Sequence, residues 1–508
     1  MLRFPGLYPK LTFLRSPAGA DLMVFGAGAF APLAFAPLGI FPLAILAPAV
    51  LFALWLDAAP ARAAWRGFLF GLGMFGVGVS WIYVAIHDFG HSGVALALFL
   101  TGLFVSILAL YPALLGYLAA RIFPGNGWPK YLLALPAGWV LFEWWRGWFL
   151  TGFPWLNLGY SQIGSPLGGY APLVGVYGVS LAVAASAGLL LGVLRLRGRA
   201  RLACLVALAA VWGGGLLAAQ WQWTQPSGAA LRVSLVQGNI PQDTKWRPEL
   251  LQPTLDLYAG LTRARWGDDL VIWPEGAVTA FHHQVADSYL APLARAARAH
   301  GTDLLIGLPV MDLQTRRYYN SMLSLGADDG FYHKRHLVPF GDYVPLAQWL
   351  RGLIAALDLP MSGFSPGPED QPLLAVAGRA AAVAICYEDI FGEELIRSLP
   401  QAELLVNATN NAWYGDSFAP HQHLEMSRMR ALETGRYMLR VTTNGVSAVI
   451  DARGRIVARS PQFQTFVLTG EARPMQGATP YVRLGNLPVL LVLAAMLGYG
   501  WFRLRRAG

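Results

Sequence analysis

Residues 383–389 read Val-Ala-Ile-Cys-Tyr-Glu-Asp, an apolar run that ends at Cys386 and is followed by two acids. The run predicts a buried strand with a thiol at its carboxyl end. A lone cysteine after small apolar residues is more often a buried hydrophobe than a nucleophile. Here Glu275 in Trp-Pro-Glu-Gly and Lys334 in Tyr-His-Lys-Arg, each after a strand-like run, favour the nucleophile because they supply a carboxylate and an ammonium.

The chemistry of a thiol explains why these residue types matter together. A free thiol has a pKa of about 8.5, so it needs a base to take its proton and a positive group to hold the resulting charge. Glu275 and Lys334 fit those two roles. Attack on a carbonyl then places negative charge on oxygen, for which Lys334 and the backbone amide of Tyr387 are candidate donors.

Two alternatives remain open on the residues alone. Histidine is the more common partner of a catalytic cysteine, so a Cys–His pair is a rival hypothesis. Taken singly, Glu275 and Lys334 are also typical of ordinary surface charges. The histidines available for such a pair are His333, His336, His421 and His423.

Composition places this polar region inside a membrane protein. Of 508 residues, 55% are hydrophobic and only 13% are charged, which indicates a polytopic membrane protein rather than a soluble one. The net charge of +9 comes from short basic clusters beside apolar runs, so anionic lipid head groups are the expected counter-charge and nucleic acid is not. The only other cysteine, Cys204, lies in an apolar run, and two cysteines offer no disulfide framework.

Long apolar segments predict about eight membrane spans, since a bilayer core of about 30 Å needs about 20 apolar residues per helix. The first two segments are separated only by Pro37-Leu38-Gly39, so a re-entrant hairpin is an alternative there. The predicted spans are 19–36, 38–56, 67–86, 94–120, 131–150, 171–194, 202–221 and 484–502.

Basic residues predict the orientation of these spans. The short loops 87–93 and 151–170 contain no Lys or Arg, and the loops on the other side of the predicted membrane carry the basic residues. The cytoplasmic side is therefore expected to hold both termini, and residues 222–483 are expected to lie outside. The basic residues in question are Arg62, Arg66, Arg121, Lys130, Arg195, Arg197, Arg199, Arg201, Arg503, Arg505 and Arg506.

The chain thus divides into a membrane domain (1–221), an outer domain (222–483) and a last span with a basic tail (484–508). The outer domain has an α/β pattern, with apolar runs alternating with helical stretches at 248–265 and 287–299. Hairpins are predicted at 327–330 and 451–454. The predicted strands are 233–236, 270–273, 304–308, 381–385 and 404–406.

Two further features of the sequence invite a functional interpretation. Glu143 and Arg146 are three residues apart in the fifth predicted span, where they can pair on one helical face. Our hypothesis is that Arg146 binds a lipid phosphate; the alternative is an interfacial arginine that snorkels outward. His421 and His423 have no further ligands in register, so we expect no metal site.

Five sequence blocks resemble a known family. In this order, and between the last two of eight spans, they are similar to the apolipoprotein N-acyltransferases, integral-membrane members of the nitrilase, or carbon–nitrogen hydrolase, superfamily. The resemblance covers nearly the whole chain. The blocks are Gln-Gly-Asn-Ile-Pro-Gln at 237–242 with Lys245-Trp246, Trp-Pro-Glu-Gly at 273–276, Lys-Arg-His-Leu-Val-Pro-Phe-Gly at 334–341, Cys-Tyr-Glu-Asp at 386–389 and Asn-Asn-Ala-Trp-Tyr-Gly at 410–415.

The resemblance implies an outer domain with an αββα sandwich fold and a set of site residues. It makes Glu275 the general base, Lys334 the oxyanion stabiliser and Cys386 the acyl-carrying nucleophile. The supporting positions are Trp246, Tyr387 and Glu388, and Asp342 stands where the family usually has Glu. The side chain of Asp342 is one methylene shorter, so its reach is an open question.

The resemblance also implies a reaction and its partners. Cys386 takes an acyl chain from a phospholipid, typically phosphatidylethanolamine, and passes it to the amino group of the diacylglyceryl-cysteine of an apolipoprotein. It implies no cofactor. It also implies a bacterial inner membrane, with the catalytic domain in the periplasm, and a domain tied to the membrane at both ends favours a monomer. Two rivals share parts of this pattern: a membrane-tethered amidase that uses water, and a transporter with an inactive outer domain.

Overall fold

The computed structural model describes residues 16–344 and 363–506. Contacts along the chain divide the protein into two units. The first comprises Met1–Tyr83, Ala95–Trp221 and Asn486–Gly508, and the second comprises Val84–Val94 and Gln222–Gly485. Residues 84–94, which contain the predicted loop 87–93 and the adjoining ends of two predicted spans, therefore belong to the second unit.

The first unit is built from apolar helices. Proline at the first turn begins several of them, where its missing N–H costs nothing, and the Ser16 side chain caps the first by accepting from Gly19 N–H at 3.0 Å. The α-helices of this unit are Pro17–Phe30, Leu43–Trp55, Pro60–Gly78, Val94–Ile122, Leu135–Arg146, Ala171–Arg195, Gly198–Ala218 and Leu487–Arg505.

Five helical segments among the described residues are long and apolar enough to cross a membrane. A sixth results if Pro60–Gly78 and Ile82–Phe89, bent by 60°, form one span. The five are Pro17–Ala34, Val94–Ile122, Pro166–Arg195, Gly198–Ala218 and Leu487–Arg505.

The prediction of eight spans is thus not confirmed. In the second predicted span the helix Leu43–Trp55 has only 13 residues, and in the predicted span 131–150 the helical segment, Lys130–Ala134 followed by Leu135–Arg146, ends at Arg146. The physical reason is that apolar composition continues through Pro37-Leu38-Gly39 and past Arg146, whereas the helical hydrogen bonding does not. What the structure supports is a membrane protein with several apolar helices.

The second unit contains two six-stranded sheets. Their strand orders are β12-β11-β10-β9-β8-β7 and β13-β2-β3-β4-β5-β6, with β1 and β14 as a separate pair. The strands are β1 Thr224–Pro226, β2 Leu231–Gln237, β3 Leu270–Ile272, β4 Asp303–Met311, β5 Tyr318–Leu325, β6 Gly330–His333, β7 Leu374–Val376, β8 Arg379–Ile385, β9 Leu404–Thr409, β10 Met438–Thr442, β11 Ala448–Ile450, β12 Ile456–Arg459, β13 Phe466–Ala472 and β14 Met475–Gly477.

All five predicted strands are confirmed, as β2, β3, β4, β8 and β9. Both predicted hairpins are also confirmed, because β5 pairs antiparallel with β6 and β11 pairs antiparallel with β12. The predicted helices occur as Leu251–Arg263 and Ala291–Ala299. Further α-helices of this unit are His282–Val285, Gly392–Leu395, Ala419–Thr434 and Pro480–Leu484.

The two sheets pack face to face, with helices on their outer faces. Leu235 and Ile272 of one sheet share a buried cluster with Val383 and Val406 of the other. Separate clusters join each sheet to its covering helices: one includes Leu255 and Ala294 with Val236, and the other includes Leu424 and Ala431 with Leu405. Burying each such side chain contributes about 1.5–3 kcal/mol, so four layers, αββα, result.

Strand direction brings the polar motifs to one edge of this sandwich. Strands β2, β3 and β4 are mutually parallel, as are β8, β9 and β10. Strand β6 runs the same way as β4, because each is antiparallel to β5. Glu275 follows β3, Lys334 follows β6 and Cys386 follows β8, so each of the three lies past a carboxyl end.

Candidate active site

Cys386 lies where β8 ends and a short 3-10 helix, Cys386–Ile390, begins. Its φ of 53° places a non-glycine residue in the left-handed region. Such a conformation costs roughly 1–2 kcal/mol and persists only where surrounding contacts hold it. The Cys386 carbonyl accepts a hydrogen bond from Asn407 Nδ2 at 3.0 Å, which provides one such contact.

Glu275 is fixed by contacts to both carboxylate oxygens. Oε1 accepts from Asn320 Nδ2 at 2.7 Å, and Oε2 accepts from the backbone N–H of Asn410 at 2.7 Å. Lys334 Nζ lies 3.5 Å from Oε1. Behind the carboxylate, Lys245 Nζ donates to the Glu275 backbone carbonyl at 3.2 Å. These contacts hold a carboxylate in one orientation at the strand ends.

Lys334 is 1% exposed and lies between two carboxylates. Its Nζ is 2.7 Å from Asp342 Oδ2, and that oxygen also accepts from the N–H of Val338 at 2.8 Å. Burial opposes the charge, yet Asp342 and Glu275 raise the pKa of the Lys334 ammonium well above its ordinary value. Lys334 is therefore a permanent cation, and the shorter side chain of Asp342 does reach it.

The thiol of Cys386 is neutral in the resting site. Burial and the negative charge of Glu275 raise its pKa to about 12, against the opposing effect of Lys334. The sequence led us to expect a thiolate formed by a neighbouring base. The structure instead places a neutral thiol beside the Glu275 carboxylate, so the thiol proton needs an acceptor when the sulfur attacks a substrate.

Glu388 connects the loop that carries Lys334 to the turn that carries Cys386. Its carboxylate accepts from the backbone N–H groups of Ile385 at 2.6 Å, Arg335 at 2.7 Å and His336 at 3.1 Å. The hydroxyl of Tyr332 donates to it at 3.0 Å. Its own burial raises the pKa of Glu388. One buried carboxyl group thus positions the segments on both sides of the nucleophile.

The other predicted supporting residues lie around the site. The ring of Tyr387 packs edge-on against Phe391, with centroids 5.2 Å apart. Trp246 is 52% exposed and its indole lies beside Gly276, the residue after Glu275. Trp246 therefore presents an apolar surface at the rim of the site, where a substrate chain can contact it.

Arg146 has a different environment from the one hypothesised. It is buried in the first unit, and its guanidinium donates to the carbonyls of Phe153 at 2.5 Å and Trp155 at 2.6 Å and to Asn157 Oδ1 at 2.7 Å. Glu143 holds the same loop by accepting from the N–H of Leu158 at 2.8 Å. These contacts give Arg146 a role in fixing a loop and lend no support to phosphate binding.

Three of the four candidate histidines, His333, His336 and His423, have partners other than the thiol. His333 bonds to Ser321, His336 pairs with Glu394 at 2.8 Å and His423 Nε2 lies 2.7 Å from Asp389. These positions therefore do not support the Cys–His hypothesis. Across residues 16–344 and 363–506, no cluster of three His, Cys, Asp or Glu side chains fits a metal ion.

Sequence reasoning missed three residues that hold Glu275. Lys245 and Asn410 lie inside blocks that carried the family resemblance, so proximity to those blocks was a usable signal. Asn320 lies in a strand that the pattern did not predict, and no local signal singles it out. All three depend on pairing between distant parts of the chain.

Known protein families and relatives match most of this chain. Residues 27–189 match the family model for the apolipoprotein N-acyltransferase N-terminal domain, and residues 232–479 match that for carbon–nitrogen hydrolases. The apolipoprotein N-acyltransferase of Methylococcus capsulatus is 50% identical over 456 residues, 90% of this chain and 90% of the relative. The apolipoprotein N-acyltransferase of Nitrosomonas europaea is 47% identical, covering 88% of this chain and 90% of the relative. The enzyme of that name from Azotobacter vinelandii is 48% identical, covering 96% of this chain and 95% of the relative.

Proposed function

The chain belongs to the apolipoprotein N-acyltransferase family, and we propose that it N-acylates apolipoproteins through an acyl thioester on Cys386. It is an acyltransferase with a lipoprotein acceptor and a lipid donor. The mechanism rests on one observation: Glu275 and Lys334 both lie close enough to the Cys386 thiol to change its pKa. Glu275 raises that pKa and Lys334 lowers it.

In the first half-reaction, the sulfur of Cys386 attacks the carbonyl carbon of a phospholipid ester. Glu275 takes the thiol proton as the carbon–sulfur bond forms, because a thiol with a pKa of about 12 supplies almost no thiolate by itself. Lys334 faces the developing oxyanion as a fixed cation. The glycerol oxygen then leaves with the proton held by Glu275, giving a lysophospholipid and a thioester.

In the second half-reaction, the amino group of a diacylglyceryl-cysteine attacks the thioester. Its proton passes to Glu275, the carbon–sulfur bond breaks, and the thiol is restored when the sulfur recovers a proton. The same base and the same cation serve both halves, as a ping-pong reaction requires. We assign phosphatidylethanolamine as the donor and a single chain as the working unit.

The protein is a bacterial membrane protein, and we place it in the inner membrane with the catalytic unit in the periplasm. The proposal includes eight spans with both termini in the cytoplasm. It divides the chain into a membrane domain (1–221), a catalytic domain (222–483) and a last span with a basic tail (484–508). The basic loops at Arg62 to Arg66 and Arg195 to Arg201 support the orientation. Labelling of a cysteine introduced at His91 by a membrane-impermeant maleimide in intact cells checks it, since His91 then faces the periplasm.

Mass spectrometry of the full-length protein purified with its native lipid tests the proposed intermediate. We expect a fatty acyl adduct on the peptide that contains Cys386, lost in Cys386→Ala and retained in the matched control Cys204→Ala. Adding a diacylglyceryl peptide should transfer the acyl group to the peptide amine. An adduct that decays to free fatty acid instead would favour the water-using amidase, and absence of any adduct would favour the transporter.

A further inference from the structure

A buried polar network lies behind Cys386, and the reaction described above uses none of it. Asn407, Asp389, Ser427 and Arg440 are all completely buried. Arg440 Nη1 lies 3.5 Å from Asp389 Oδ2, so the network contains a buried ion pair. Burying these charges costs free energy of folding. The hydrogen bonds of the network show which part of the site it holds in place.

The network resembles a Ser-His-Asp triad in composition but not in geometry. Asp389 occupies the middle: one oxygen is 2.7 Å from His423 Nε2, and the other accepts from the hydroxyl of Ser427. A catalytic relay needs the histidine between the acid and the hydroxyl. Ser427 is also inaccessible to substrate, so this cluster is not a second nucleophile site.

Arg440 dictates which way the side-chain amide of Asn407 faces. Arg440 Nη1 lies 2.5 Å from Asn407 Oδ1, and a guanidinium can only donate hydrogen bonds, so the amide oxygen must face Arg440. The amide nitrogen then faces the end of β8. From there it donates to the carbonyls of Cys386 at 3.0 Å and Ala384 at 3.3 Å.

These two carbonyls flank the point where the chain turns out of the sheet. Asn407 on β9 is the direct register partner of Ala384 on β8, and Cys386 lies two residues further on, at its φ of 53°. In a planar trans peptide the carbonyl oxygen of Cys386 and the N–H of Tyr387 point in opposite directions. Holding that oxygen toward Asn407 therefore also fixes the direction of the N–H and the rotation of the cysteine.

We propose that Asn407 is a positioning residue for the nucleophile, which fixes the peptide group after Cys386 while the Arg440–Asp389 pair fixes the amide of Asn407. Asn407 does not touch the reacting atoms. It acts through the backbone of Cys386, keeping the sulfur and the adjoining peptide plane aligned with the bound acyl carbonyl. This inference rests on Cys386 being the acyl-carrying nucleophile.

The test compares variants that remove the donor to Cys386 with one that removes a buried hydrogen bond outside the network. Asn407→Asp keeps a partner for Arg440 but cannot donate, and Asn407→Leu is the uncharged second variant. Both should lower kcat of acyl transfer and the single-turnover rate of Cys386 acylation by about 10- to 100-fold, with KM for the phospholipid unchanged within about twofold. Thr434→Ala, which removes a buried hydrogen bond to the Arg430 carbonyl on the helix that carries Ser427, should keep kcat within about twofold.

Thermal unfolding of each full-length variant in detergent separates positioning from simple loss of structure. The inference is overturned if either Asn407 variant acylates Cys386 at the wild-type rate, if the loss is confined to KM, or if Thr434→Ala loses as much activity. Wild-type protein that forms no thioester would instead contradict the proposed function, and it would do so without any comparison between variants.

Discussion

The Nζ of Lys334 lies 2.7 Å from Oδ2 of Asp342, closer than the 3.5 Å that separates it from Oε1 of Glu275. The ammonium is therefore held mainly by Asp342, and its contact with Glu275 is longer. This asymmetry leaves the Glu275 carboxylate available to accept a proton from Cys386, while Lys334 remains charged and in place.

Asp342→Asn should reduce activity because it removes the charge that anchors Lys334. The ammonium then moves toward Glu275 and weakens it as a base, and we expect a loss of about 10- to 100-fold in kcat of acyl transfer to a diacylglyceryl peptide. Asp342→Glu keeps the charge and should retain or raise activity. A large loss in Asp342→Glu would show that the shorter side chain is required.

Glu275→Gln should lower the rate of Cys386 acylation by about 10²- to 10⁴-fold. Residual activity without the base must come from the small thiolate fraction, because burial still raises the thiol pKa although the contribution of the Glu275 charge is lost. That fraction grows about tenfold per pH unit below the pKa. Single-turnover acylation measured from pH 7 to 10 should therefore rise steeply in Glu275→Gln, and a flat profile would argue against the assigned base.

Lys245 should make stability depend on pH in the alkaline range. Burial lowers the pKa of its ammonium to about 8, against the attraction of Glu275, from an ordinary value of 10.5. Between these values the unfolded chain binds more protons than the folded one, so stability rises with pH there, and below pH 8 the buried charge costs about 3 kcal/mol.

The Tm difference between wild type and Lys245→Met, measured for the full chain in detergent, should thus change in favour of wild type from pH 8 to pH 10.5. Lys245→Arg serves as the matched control because its guanidinium does not titrate in that range. A difference that stays constant with pH would mean that Lys245 does not titrate there.

Glu388→Ala should destabilise the second unit by about 3 kcal/mol or more. The substitution leaves the buried N–H groups of Ile385, Arg335 and His336 without their acceptor, and each unsatisfied group costs about 1–3 kcal/mol. Chemical denaturation and acyl-transfer activity should fall together. Glu425→Gln, which weakens a half-buried pair with Arg428, is the control and should change stability by less than about 1 kcal/mol.

Arg146→Ala should lower Tm and leave KM for the donor phospholipid unchanged. The guanidinium holds three acceptors in the loop at Phe153, Trp155 and Asn157, and their loss should cost about 3 kcal/mol or more. Arg62→Ala, which removes an exposed pair with Asp21, is the control. A raised KM with an unchanged Tm would restore the hypothesis that Arg146 binds a lipid phosphate.

Local pattern was sufficient for the strands that carry chemistry. The apolar runs before Glu275, Cys386 and Asn407 predicted β3, β8 and β9, since a buried strand needs little more than a short apolar run between breaks. Strands such as β10, which carries the buried Arg440, were missed because charged or polar residues interrupt the run. The count of eight spans is not confirmed for a related reason, as apolar composition does not reveal where a helix breaks.

The sequence by itself determined the family and the α/β class of the second unit, and it predicted Glu275, Lys334 and Cys386 as site residues, because motifs and hydrophobic periodicity are local properties of the chain. Only the tertiary structure decided which groups surround them. Asn410 is 135 residues from Glu275 and Glu388 is 53 from Arg335, and no local pattern encodes such pairs. The neutral state of the thiol was likewise decided by burial and by charges brought together in space, which exist only once the sheets have packed.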